Sequence, residues 1–324
     1  MGEIAKVAEA FSAPIVKFIE VVSRGIGCAY EPTHTRKMAD AKAYEITTIA
    51  KALRDNADLP AFFDRDGVQI DLRDINALAE RASRRALLQE MRKQQNIEAI
   101  VDRAYEEIQK ETEVSSEQVD DDWIVRFFNS VEDVSKEDLQ KIWSRVLAEE
   151  IKKPKSFSMR TLDILKNISL SEARLFQDFS FCLLSTQNRV FIPNDEAIWS
   201  EVGLQFGDVY TLSCAGLINL TTIDLLLDVS QRKALIYNQK IVGTIERKET
   251  IPNDIVHVNI YCLTESGMDI AKVLNINDEK SKNFAVKFFS RLKKVRNTYI
   301  IRAYLIMNIY EGYIKHETQD LLIE

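Results

Sequence analysis

The sequence predicts a mainly α protein: a long-helix N-terminal region and a helical middle domain, followed by a small α+β module. Three observations predict it. Apolar residues recur every three or four positions through much of residues 1–187, the period of one helical face. Glycine and proline are scarce, 10 and 6 in 324 residues, too few for the turn every roughly 8–12 residues that a sandwich or barrel needs. Alternating β-branched runs begin only after Asn188. Composition and punctuation divide the chain into residues 1–112, 113–187, 188–277 and 278–324.

In residues 1–30, Ile4, Val7, Ala8, Phe11, Ile15, Phe18, Ile19 and Val22 share one helical face, with most charges elsewhere. Pro14 kinks or starts a helix there, and Gly25 and Gly27 end it. Two uses fit this face. It packs as core on residues 35–112, or Phe11, Ile15, Phe18, Ile19 and Val22 meet a membrane surface or a partner. Acids mixed with bases on the polar side favour the core reading.

Residues 35–56 are an alanine-rich helix former, and Pro60 with Asp66-Gly67 marks a turn. Residues 72–112 carry a stripe of Ile75, Leu78, Leu87, Met91, Ile100 and Tyr105 that suits a helical hairpin or a coiled coil.

The middle segment has capping signals at Ser115 with Gln118, Ser135 with Asp138, Ser158, and Ser169 with Glu172. Behind them stand Trp123, Ile124, Phe127 and Phe128, then Leu139, Ile142, Trp143, Val146 and Leu147, spaced as core-facing stripes. Pro154 stops the second of these helices.

After Asn188, "RVFIP" reads as a strand, residues 205–218 as a helix, and "ALIYNQKIVGTIER" and "IVHVNIYCL" as strands. Thr264-Glu265-Ser266-Gly267 opens a further helix. This order, with the phrases "AGLIN" and "YCLTESGMDIAKVL", resembles a winged helix. Residues 205–218 hold no Lys or Arg, which opposes direct reading of a DNA major groove. A helix "SKNFAVKFFSRLKKV" follows, and residues 297–314 read equally as strand or helix.

The chemistry-bearing residues are sparse. Cys28, Cys182, Cys214 and Cys262 form no C-x-x-C pair and read as reduced core thiols. His34, His257 and His316 have no metal spacing, and His257 in an alternating strand reads as solvent-facing or hydrogen-bonded. Asp120-Asp121-Asp122 reads as a solvated helix N-terminus rather than a cation site. Gly25-Ile26-Gly27 lacks the third glycine and preceding strand of a phosphate loop. No catalytic residue, metal ligand or cofactor site is expected, and no small-molecule substrate suggests itself. No apolar run reaches the ~18 residues of a membrane span, and no signal peptide is expected, so the compartment reads as cytoplasmic.

A net charge of −7 opposes a role in coating nucleic acid. Residues 281–310 break that trend, with no acid and with Lys287, Arg291, Lys293, Lys294 and Arg296 interleaved with aromatics. These five are candidates for contact with phosphate or with an acidic partner.

"IEVVSRGIGCAYEPTHTRKMADAKAYEI" (19–46) and "VEDVSKEDLQKIWSRVLAEEIKKPKSFSMRTLDILKNISLSEARLF" (131–176) resemble the family catalogued as domain of unknown function 2806. The second stretch is also similar to abortive-infection alpha proteins of bacteria. The resemblance implies an uncharacterised bacterial protein near antiphage defence and brings no catalytic residues. The expected function is a non-enzymatic, homo-oligomeric interaction protein of abortive-infection type. It would act through protein partners and at the inner-membrane surface, with weak nucleic-acid binding at most. The alternative is a winged-helix nucleic-acid-binding regulator.

Overall fold

The computed structural model of the chain describes residues 12–27, 30, 75–186, 189–229, 233–247, 255–296, 298–310 and 313–322. The expectations at Cys28, His34, Phe11 and residues 35–56 lie outside them. The chain divides into two compact units, Met1–Ser156 and Phe157–Glu324.

The first unit is helical: α1 (Ala13–Ile26), α2 (Ile75–Ile108), α3 (Asp121–Val131) and α4 (Glu137–Lys152). Pro14 sits in the first turn of α1, where its missing N–H costs nothing, and Gly27 ends the helix in a left-handed conformation at φ 72°. Gly25 is required by packing, because a Cβ there would come within 2.1 Å of the Phe128 ring. Phe18, Val21 and Val22 are buried with Ile100, Ala104, Phe127, Trp143 and Leu147. Trp143 meets Phe127 edge-on at 5.4 Å.

Residues 75–108 form one continuous 34-residue helix rather than a hairpin. The starts of α3 and α4 differ from expectation. Asp120, not Ser115, caps α3 by accepting from the Trp123 N–H at 2.9 Å. Lys136 precedes α4 without a side-chain cap, so Ser135 does not play that part.

The second unit contains α5 (Met159–Asn167), α6 (Leu170–Phe179), β1 (Leu184–Ser185), β2 (Val190–Pro193), α7 (Glu196–Val202), α8 (Phe206–Cys214) and β3 (Ile218–Asp228). Then come β4 (Ala234–Tyr237), β5 (Ile241–Arg247), β6 (Ile255–Leu263), α9 (Glu265–Val273), α10 (Asp278–Val295), β7 (Tyr299–Tyr310) and β8 (Tyr313–His316). All strand pairs are antiparallel, in the order β3-β6-β2-β1-β4-β5-β7-β8.

This overturns the mainly α expectation: the fold is α+β, built on one eight-stranded sheet. It also overturns the small winged-helix-like module. The hairpin of residues 234–247 is not a terminal wing. It pairs inward through Ser185↔Tyr237 and outward through Val242↔Tyr304, so it lies mid-sheet. Two long runs, "INLTTIDLLLD" and "YIIRAYLIMNIY", supply the strands that enlarge the sheet. The first pairs along β6, and the second along β5 and β8, which supplies backbone partners on those sides.

Two joints hold helices to this sheet. Thr264 caps α9 and its hydroxyl also donates to the Gly216 carbonyl at 2.6 Å. Gly267 then lies so close that a Cβ would sit 2.0 Å from the Leu217 oxygen. The phrases "AGLIN" and "LTESG" therefore meet each other. The second joint is at β5, where bare Gly243 lets the Phe289 ring of α10 lie against the strand.

Candidate functional site

The far end of the sheet has a construction unlike the rest. β5 covers β7 only from Tyr299 to Leu305, with Ile306 N–H reaching Lys240 O at 2.8 Å as the last contact. Beyond that point β7 has only β8 beside it, through Asn308↔Lys315, Ile309↔Ile314 and Tyr310↔Tyr313. The end is thus a two-stranded ribbon with both outer edges free among the described residues. Directly opposed residues share a face, so Tyr310 and Tyr313 stack at 4.7 Å, and Ile309 and Ile314 lie on the reverse.

The ribbon is apolar where it is most exposed. Met307, Ile309, Tyr310 and Tyr313 are 60%, 47%, 42% and 59% exposed. A protein surface shows single apolar residues routinely, but here both faces of one two-stranded element carry large exposed ones, the stacked Tyr310 and Tyr313 on one and Ile309 on the other, a concentration of the kind that binds proteins. An isolated ribbon is only marginally stable in water, and this one is anchored where β7 runs back into its pairing with β5.

The structure splits the basic, aromatic stretch into α10 and β7. Phe284, Phe288 and Phe289 are buried, so they are not an exposed stacking platform. Of the five expected phosphate contacts, Lys287 pairs with Glu201 at 3.0 Å and Arg291 pairs with Asp195. Lys293 donates to the Leu322 carbonyl at 3.1 Å, and Arg296 to the His257 carbonyl at 3.0 Å. Lys294 is exposed with no partner among the described residues. Four of the five cations are therefore already engaged inside the second unit.

On the N-terminal face, Phe18 and Val22 are buried in the first unit, while Ile15 and Ile19 are half-buried. Asp121 pairs with Arg24 at 2.6 Å, and no group of three or more His, Cys, Asp or Glu suited to a metal occurs among the described residues. His257 is exposed, its Nδ1 2.5 Å from Asp224 Oδ2 across the β3–β6 pair. Cys182 and Cys262 are buried, and burial pushes the Cys182 thiol above its ordinary range. Cys214 is exposed, which corrects its expected place in the core.

The polar residues of "SFSMRT" have a structural use. Thr161 is fully buried, and its hydroxyl reaches Asp269 Oδ2 at 2.8 Å and Ser266 Oγ at 3.3 Å. Ser158 caps α5. This cluster staples α5 to α9.

A family model described as Protein of unknown function (DUF2806) matches residues 80–288. The chain belongs to that family. The DUF2806 stretch runs from α2 into α10 and includes the α5–α9 staple, and it ends before β7 and β8. No curated protein and no solved structure matches the chain. No described helix is long and apolar enough to cross a membrane.

The ribbon was missed by sequence reasoning, although Tyr310 stood in the aromatic set of the basic stretch. The available signal was a β-branched and aromatic run, Tyr299–Tyr310, longer than the strand opposite it.

Proposed function

We propose that this protein is a non-enzymatic interaction protein that associates with a second copy of itself through the β7–β8 ribbon. The observation that carries the reading is the exposure of Met307, Ile309, Tyr310 and Tyr313 on a ribbon with free edges. A second copy is the favoured occupant because a two-fold axis lets two such edges pair reciprocally, each offering the other the same apolar residues. Charge does not select another partner: the described β8 residues carry only Lys315 and His316 as ionisable groups besides Tyr313.

The test is light scattering on the purified chain. A mass near twice the 37.2 kDa of the chain is expected at micromolar concentration. The double variant Tyr310→Lys with Tyr313→Lys should return to the single-chain mass. A wild-type monomer at all concentrations would overturn the proposal.

We further propose a setting in bacterial antiphage defence of abortive-infection type, resting on the similarity of residues 131–176 to the abortive-infection alpha proteins. Plating a phage panel on cells expressing wild-type or the double variant tests it. Protection that needs the ribbon supports the reading, and the absence of any protection counts against it. Nucleic-acid and membrane roles have less support, since Lys287 and Arg291 of α10 are paired with acids of the same unit and Phe18 and Val22 of α1 are packed away.

A further inference from the structure

A cavity of about 370 Å³ opens in the second unit between α10, the end of α6 and α7. That is at the lower end of the roughly 300–1,000 Å³ typical of small-molecule sites. Its floor is apolar: Phe181 and Phe284 meet edge-on at 6.1 Å, and Phe179 and Val202 complete the walls. Lys280, Asn283, Phe284 and Lys287 stand at i, i+3, i+4 and i+7 of α10, which puts all four on one helical face toward the cavity.

The charges are unequal. Lys287 is already paired with Glu201 at 3.0 Å. Lys280 lies 5.6 Å from the Phe181 ring centroid and has no carboxylate partner among the described residues. Asp178 also lines the cavity and disfavours an anion beside it, so negative charge belongs on the α10 side.

We propose that this cavity binds a small carboxylate with an apolar body: the carboxylate meets Lys280, and the body covers Phe181 and Phe284. A single unpaired cation suits a monoanion better than a phosphate dianion. The apolar floor rewards the body, which a free inorganic anion lacks. The site lies wholly within residues 178–287 and owes nothing to the ribbon, so the two readings stand or fall separately.

The experiment is calorimetric titration of the full chain with sodium octanoate, beside 1-octanol and inorganic phosphate. One saturable octanoate site is expected, with weaker octanol and phosphate binding. Lys280→Gln, at an exposed position, should weaken octanoate roughly tenfold by removing the charge-assisted contact. Val202→Phe should fill the cavity and abolish binding, and Lys280→Gln alone decides if that variant does not fold. Absence of saturable octanoate binding would overturn the proposal. So would binding unchanged by Lys280→Gln, or phosphate or octanol binding as tightly as octanoate.

Discussion

Replacing Trp143 by alanine probes the core of the first unit. Trp143 is fully buried, the largest such side chain described, and touches Phe127 edge-on at 5.4 Å. Its indole N–H has no acceptor among the described residues, so the substitution breaks no hydrogen bond there. The cost is then lost burial plus the cavity left behind, about 3–5 kcal/mol for a Trp-to-Ala change. Against the ~5–15 kcal/mol stability of a whole domain this is a large share. With a urea dependence of roughly 1–3 kcal/mol per molar, the midpoint should fall by on the order of 2 M. Far-UV circular dichroism is the appropriate probe, because the chain has 3 tryptophans and the variant loses one fluorescent reporter. Trp143→Phe should cost clearly less, since a ring remains and the unpaired N–H disappears. An unchanged midpoint in Trp143→Ala would refute the packing argument.

Two further outcomes are expected. Gly267→Ala should destabilise the second unit by about 1–3 kcal/mol, because its Cβ would lie 2.0 Å from the Leu217 backbone oxygen. Gly207→Ala, where a Cβ meets nothing within 4 Å, should be neutral or stabilise by up to about 1 kcal/mol, and thermal melts of the pair check both. Burial alone would lower the Lys152 pKa, but its hydrogen bonds to Glu149 and Glu111 outweigh this and hold it above the ordinary 10.5. That contribution is fully present below pH 10.5 and fades as pH rises through the higher folded value. Lys152→Met should therefore cost up to about 1 kcal/mol at pH 7, with a smaller difference in melting temperature near pH 11.

Local signals were legible where one side chain decides them. Ser169 and Glu172 make a reciprocal capping box, and Ser158 caps α5, as the spacing requires. The Trp143 stripe was legible for the same reason: helical period and burial coincide over α4. Non-local structure was not. β3 escaped because the register shifts between Ile218 and Thr222, which breaks the alternation that marks a strand. Residues 299–310 were ambiguous alone and became strand through partners such as Thr244↔Arg302, 58 positions apart in sequence. The basic stretch was legible as a charge pattern, but its neutralisation was not, because Glu201 and Asp195 come from α7 and the residue before it. The cavity had a readable component in Lys280, Asn283, Phe284 and Lys287. Its other walls arrive through the fold.

Concentration-dependent hydrogen exchange tests the central claim most directly, that the ribbon is the contact surface. Amides of residues 306–310 and 313–316 are compared with those of β5, Ile241–Arg247, in dilute and concentrated wild-type protein. If a second copy covers the ribbon, its exchange slows as concentration rises while β5 stays unchanged, and Tyr310→Lys with Tyr313→Lys abolishes the difference. Equal exchange of the ribbon at both concentrations, in a sample where light scattering shows association, would place the contact elsewhere and contradict the account.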